Sequence, residues 1–416
     1  MSQTLITGQE LTRAALDIFH NNVVITRNMD LQYEPDFGSQ TGYDGQKIGP
    51  TLQIRKPPIG TVRSTWAMSQ QDMTETYASL TVDTVRGIDL NFPDADLALS
   101  VDDFVKRYIE PNVKRLASEV DKVSGAWIKN HTSRLTGLGG TQPNAISYFL
   151  NAKRKLNDQT VPQDGDIACI VCPATEAAMI GGLTPLQFNP QAELSEMFKT
   201  GKISNMAGMN WYMSQILTAH TCGSRTETTP VASAIVTQGQ STMTITGLNA
   251  TSFTEGDIFT VAGCYDCNPE TKQTLPYLKQ FRVTSTVTAT ATTTNLPIAP
   301  SVYFSSAAGY LQNCSAFPGG AVSDINDATH FGSGTASYTY SNDLVFHKKA
   351  FAFASAPLII PNGVDMAGRA SADGFSVRFV RAYDTLNARM LNRLDIFFGL
   401  ADLRPEWSCR VIGVGA

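Results

Sequence analysis

Charge is what this sequence has least of. Asp, Glu, Lys and Arg make up 17% of its 416 residues, against about a quarter in an ordinary globular chain. The formal net charge is −5, and Lys and Arg form no basic tract. Gripping a phosphate backbone needs clustered cations, so the sequence argues against a dedicated nucleic-acid binder. No apolar run approaches the ~20 residues of a membrane-spanning helix. The first residues, MSQTLITGQELTRAALDIF, lack the basic and apolar regions of a secretory signal. Seven cysteines, an odd number scattered over a long chain, do not make a disulfide framework and suggest a reducing compartment. The expectation is a chain made and folded in a cytoplasm, without membrane contact. Nucleophile-elbow, P-loop and dinucleotide motifs are missing, and the five histidines make no H-x-x-H pair. That pattern points away from an enzyme.

What is present is apolar material, 42% of the chain, enough for full-sized cores without staples. The length implies two or three domains. A chain so poor in charge is expected to hide much of its surface against other chains.

Residues 1–46 read as an N-terminal arm. Gly8 to Val24 can form one short amphipathic helix with Leu11, Ala15 and Ile18 on a stripe. The arm is acidic, with Glu10, Asp17, Asp30, Glu34, Asp36 and Asp44 against Arg13 and Arg27. Residues 47–92 read as a long β-hairpin or β-loop punctuated by Pro57, Pro58 and Gly60, with Leu80, Val82 and Val85 nearly alternating. Too little in it can make a core, so it is expected to lie against something else.

Residues 101–133 give the clearest helix signal. Ser100 and Asp103 suit an N-cap, and Phe104, Tyr108, Val113, Leu116, Val120, Val123 and Trp127 recur at steps of mostly three and four. Of these, Phe104, Tyr108, Leu116, Val120 and Trp127 are taken as the core face. Pro111 should bend the helix in its first third. A second helix is expected from Asn144 to about Leu156, a strand at 167–172, a helix from Ala174 to Ile180 and a strand at 206–217.

Near residue 222 the character changes. To Asp343, charged residues thin out and Thr and Ser become dense. STMTITGL, GDIFTVAG and KQFRVTSTVTAT are short β runs separated by turns. The earlier character returns near 344 with LVFHKKAFAFASAPLIIP and later strands. An all-β module, 222–343, therefore interrupts an α+β domain.

Within that module Cys264 and Cys267 form a C-x-x-C pair. A four-ligand zinc site needs a second pair. Cys169 and Cys172 lie in an expected strand, where residues three apart face opposite ways. Cys314 with His330 would complete a set whose spacing matches no known zinc ribbon. A redox pair needs a helix N-terminus to lower a thiol pKa, and Asn268-Pro269-Glu270 opens only a short polar stretch. The pair reads as two small residues at a strand exit. No metal and no cofactor are expected.

The order of parts, with TMTITGL, EGDIFTVAG and FRVTS in the insertion, RLDIFFGLADLRPEWSCRVIG at the C-terminus, HKKAFAFASAPL, and G-Q-x-x-T-x-A at Gly8, resembles the major capsid (coat) proteins of tailed bacteriophages. The P22-like coat proteins are the nearest pattern. The resemblance implies an α+β, HK97-type capsid fold: N-arm 1–46, E-loop 47–92, P-domain 93–150 with the spine helix 101–133, A-domain 151–221 and 344–416, and an inserted small β-barrel domain 222–343. It implies self-assembly in hexamers and pentamers into an icosahedral shell around double-stranded DNA, which the shell contacts only non-specifically. Implied partners are a scaffolding protein, placed by the family on the N-arm and here assigned to Glu10 and Asp17, and a portal protein at one vertex; a decoration protein is allowed. The implied location is the virion, after synthesis in the cytoplasm of a bacterial host. The competing readings are an encapsulin-like cargo shell, which shares the fold but usually lacks a β insertion, and a zinc or thiol enzyme built on the C-x-x-C pairs.

Overall fold

The structure, a computed structural model, describes residues 8–38, 49–57, 60, 62–68, 70, 75–93, 108–137, 139–182, 203, 205–224, 230–247, 252–289, 293–304, 311–324 and 339–414. The chain divides into two compact units. One comprises residues 1–55, 77–125 and 351–403, and the other 56–76, 126–350 and 404–416.

The first unit is built on an open antiparallel sheet. Its strand order is Thr51–Lys56, Thr76–Pro93, Arg389–Asp402, Phe375–Asp384 and Met366–Ala372, with Phe351–Ser355 also paired to Arg389–Asp402. The stretch expected to be a long β-hairpin or β-loop supplies an eighteen-residue strand that runs against the C-terminal hairpin. Ala78 and Leu80 pack with Ala352, Ala354, Ala401 and Leu403, so this strand does share a core. Leu80 and Val82 face inward, while Val85 is 47% exposed, because an odd step in a period-two strand lands on the other face. A bulge between Val82 and Thr84 lies opposite Gly399, where a Cβ would collide with the Thr81 carbonyl.

The helix Gly8–Asn22 lies on the sheet's far edge strand. It buries Leu11, Ala15, Leu16 and Phe19, while Ile18 is only half-buried. The stripe therefore turns one position further than the Leu11–Ala15–Ile18 spacing suggests. Phe19 meets Phe375 edge-on at 5.4 Å, and Phe353 bridges Phe375 and Phe398, each at 5.3 Å. Gly368 admits the helix start, since a side chain there would overlap the Gly8 carbonyl.

The helix Glu110–His131 buries Val113, Leu116, Ala117 and Val120. Ser100, Asp103 and Phe104 lie outside the described residues. Pro111 follows Glu110 in this helix, and residues 101–107 of the expected helix lie outside the described residues. Tyr108 and Ile109 ahead of it are wound as a π turn. Asp121 projects from the helix onto the chain that follows the first helix. Its carboxylate accepts the N–H of Val24 (2.6 Å), Ile25 (3.1 Å) and Thr26 (3.0 Å) and the Thr26 hydroxyl (2.7 Å). Burial still pushes its pKa up against those bonds.

The second unit holds a mixed five-stranded sheet in the order Leu135–Thr136, Ser408–Ile412, Asn342–His347, Ile167–Val171 and Asn210–Met213. Ile167–Val171 is buried along its whole length. The strand ends there, and Cys172 leads into the helix Pro173–Gly182 instead of extending it. The helix Ile146–Asp158 buries Phe149, Ala152 and Leu156, and Phe149 meets Trp211 at 4.7 Å.

Between these sheet strands the chain makes a closed barrel in the order Ile258–Cys267, Thr274–Val283, Thr293–Val302, Gln240–Thr246, Val231–Ala232 and Gly320–Asp324. Met243, Ile245, Phe253, Phe259, Phe281, Leu296, Ile298, Phe317 and Val322 fill it. The segments leading in and out pair as His220–Thr221 with Thr339–Tyr340. One short ladder therefore holds the ends of the insertion together, as expected of a domain inserted at a single point.

Candidate functional site

The C-x-x-C pair lies at the end of the barrel strand Ile258–Cys267. Gly263 has φ +81°, and the ladder shifts register between Thr260 and Tyr265. Beyond that bulge Cys264 and Asp266 turn inward while Tyr265 turns out. Cys264 and Cys267 are both buried. A hydrogen bond to Cys314, and then burial, push the Cys264 thiol up; burial does the same to Cys267. The same hydrogen bond lowers Cys314, but the raised thiols of the C-x-x-C pair itself are the reverse of what nucleophilic or redox chemistry needs. Cys314 does approach the pair, but His330 lies outside the described residues.

Among the described residues one group of potential metal ligands comes together, and the sequence reading missed it: His220, Cys222 and Asp257, all buried. No local spacing could have signalled it, because the barrel neck brings distant residues into contact. His220 Nε2 and Asp257 Oδ1 are 2.8 Å apart, and Asp257 Oδ2 accepts the N–H of Gly223 (3.1 Å) and Thr254 (2.8 Å). Burial holds His220 below its usual pKa, with Arg410 and Lys129 adding to the effect. The positive charge of Arg410 and Lys129 acting on this buried site opposes a divalent ion. The cluster is a hydrogen-bonded tie at the neck of the insertion.

Glu10 and Asp17 are both exposed on the helix Gly8–Asn22. Leu116 and Val120 are buried, Tyr108 is partly buried, and Phe104 lies outside the described residues. Trp127 is only half-buried; it stacks on His131 at 3.8 Å, and Ile128 takes the fully buried place beside it. The most exposed apolar side chains fall on connections. Val62, Trp66 and Met68 are 93%, 101% and 80% exposed, and Leu386, in the turn between Phe375–Asp384 and Arg389–Asp402, is 93% exposed. Isolated exposed apolar residues are common, but three within seven residues is a concentration of the kind that marks contact surfaces.

The family model of the P22 coat protein, gene protein 5, matches residues 11–415. Among solved structures, one from Mycobacterium phage Che8 aligns with 99% of this chain and 94% of its own, at 13% identity and TM-score 0.50. The capsid of cyanophage P-SCSP1u aligns over 88% and 84% at 12% identity and TM-score 0.43. A satellite phage P4 procapsid that includes the size determination protein aligns over 100% and 92% at 7% identity and TM-score 0.39. No curated protein sequence matches significantly. With the family match spanning nearly the whole chain, the protein belongs to the P22 coat protein family and is a shell-forming coat protein of a phage capsid.

Proposed function

We propose that this coat protein assembles as hexamers and pentamers into an icosahedral shell around double-stranded DNA, with a scaffolding protein during assembly and a portal at one vertex. The observation that carries the reading is the family match over residues 11–415. Support comes from apolar groups left in water, Val62, Trp66, Met68 and Leu386, which neighbouring copies would cover. Burial of such side chains contributes about 25 cal/mol per Å². The exposed acids Glu10 and Asp17 are assigned to scaffold docking, where charge would steer encounter. A decoration protein is compatible with this reading. Packaged DNA would be met without sequence specificity, since no basic tract is present. The role is structural rather than enzymatic, and synthesis takes place in the host cytoplasm before incorporation into the virion. Co-expression with the scaffold, followed by sedimentation and electron microscopy, should give closed shells. A species that stays monomeric with and without scaffold would refute the proposal.

A further inference from the structure

Asp343 is fully buried in the central strand of the five-stranded sheet, Asn342–His347. Among the described residues, neutral groups alone bind its carboxylate. Oδ1 accepts the Cys172 N–H at 2.7 Å, and Oδ2 accepts the Thr175 hydroxyl at 2.8 Å. Both donors belong to the turn that opens the helix Pro173–Gly182.

The contacts continue outward. Thr175 Oγ1 accepts the Gln142 side-chain N–H at 2.7 Å, and Gln142 Oε1 accepts the Val414 N–H at 3.3 Å. Ser341 donates its N–H to the Val414 carbonyl and accepts the Gly413 N–H, each at 3.2 Å. The far end of the helix touches the same connection, because a Cβ on Gly182 would overlap the Asn144 carbonyl. One carboxylate therefore stands where three segments meet: the helix, residues 142–144 and residues 413–414.

No cation among the described residues answers its charge. The strand Ile167–Val171 presents the Cys169 thiol, and the helix start presents the Cys172 thiol; burial and then Asp343 push both up. On Ser408–Ile412 its register partner is Val411, and the adjoining Arg410 donates to the Gly256 carbonyl. On the helix Ile146–Asp158, Lys153 and Lys155 hold the carbonyls of Ala207 and Leu135. On its own strand, His347 is bonded to Asp164. Burial raises Asp343 to about 6 against the bonds from Cys172 and Thr175.

A proton on Oδ2 changes the chemistry and keeps the contacts. Neutral Asp343 donates to Thr175 Oγ1, and the Thr175 hydroxyl turns to Cys172 Sγ, 3.2 Å away. The bond from Gln142 remains. What the proton removes is the cost of holding a charge away from water.

We propose that Asp343, Thr175 and Gln142 form a proton-sensitive clasp, which holds the helix Pro173–Gly182, residues 142–144 and residues 413–414 together more firmly when Asp343 is neutral than when it is charged. A raised carboxyl burdens the folded state least below its unfolded value near 3.8, and the burden grows as pH rises through about 6. From pH 5 to 7 the closed clasp should weaken about tenfold relative to its opened form. The clasp does not depend on the coat-protein reading.

The test is segment-resolved amide hydrogen exchange on the purified full-length chain at pH 5, 6 and 7, corrected for the intrinsic rate at each pH. Protection of peptides covering 142–144, 173–182 and 413–414 should fall together by about tenfold from pH 5 to 7, while the barrel strands keep theirs. Asp343→Asn is neutral throughout and can still donate to Thr175, so it should hold the acid level of protection at every pH. Gln142→Leu cuts the relay to Val414, so the response should remain in the helix and vanish at 413–414. A parent without the pH response would overturn the proposal. So would a response shared equally by the barrel, one that survives in Asp343→Asn, or one at 413–414 that survives in Gln142→Leu. Should Asp343→Asn fail to fold, the midpoint of the parent's response decides: a value near 6 supports the clasp, and one outside the range from 5 to 7 overturns it.

Discussion

The inserted barrel and the open sheet of the first unit are both antiparallel β structures, yet they treat their edges and apolar residues differently. In the barrel each strand has a neighbour on either side, and the phenylalanines point to one shared centre. The sheet keeps edge strands at Thr51–Lys56 and Met366–Ala372, an eighteen-residue strand three times the usual length, and a hairpin turn that exposes Leu386. Closure makes a fold self-sufficient; an open sheet with apolar ends is suited to completion by other chains.

The sharpest way to break that contrast is at the centre of the barrel. Phe281 is fully buried and packs against Phe259 and Phe317. Phe281→Ala should cost roughly 3–5 kcal/mol, read by denaturant unfolding of a fragment spanning 223–343. The parent fragment should fold alone, with a dispersed amide spectrum. A collapsed spectrum of the parent fragment would mean that the barrel depends on its surroundings after all.

A second contrast runs along the helix Glu110–His131. Leu116 is 1% exposed, and Leu116→Ala should lose roughly 2–5 kcal/mol. Trp127, half-buried and held by stacking on His131, should lose less on truncation despite its size. Equal losses at the two sites, measured by urea titration, would show that the side chains are covered alike.

Two buried aspartates of the second unit, Asp266 and Asp343, make a third comparison. Asp266 has cations beside it. Asp343 has only dipoles: the Cys172 N–H at 2.7 Å and the Thr175 hydroxyl at 2.8 Å. Burial pushes Asp343 up to about 6 against those bonds. A raised carboxyl costs nothing below its unfolded value near 3.8 and loses stability as pH rises through about 6. The penalty at pH 7 is therefore roughly 3 kcal/mol, of which about 1 kcal/mol should return on acidification to pH 5. Asp343→Asn should flatten this part of the pH profile; an unchanged slope between pH 5 and 7 would mean that Asp343 does not titrate there.

The smallest effect is expected at the arm. Glu10→Lys with Asp17→Lys should leave monomer stability unchanged, because both side chains are exposed. It should lower the scaffold content of sedimented shells, most clearly at low salt. Equal scaffold in mutant and parent across a salt series would remove the docking role from these residues.

Much of this architecture was legible in advance because it rests on local periodicity. The step of three to four marked the long helix, continuous apolar runs marked Ile167–Val171, and the Thr-rich alternation between Cys222 and Asp343 marked a separate β module. The charge-poor composition suggested hidden surface without saying which residues form it. Tertiary structure alone decided the rest. It closed the module into a barrel and placed the return strand of the β-loop in a shared sheet. It also brought His220, Cys222 and Asp257 to one neck, and gathered Gln142, Thr175 and Asp343 at one junction. Thr175 and Asp343 alone are 168 positions apart. A periodic pattern records which face of a strand or helix is buried, but it carries no information about which distant segment covers that face.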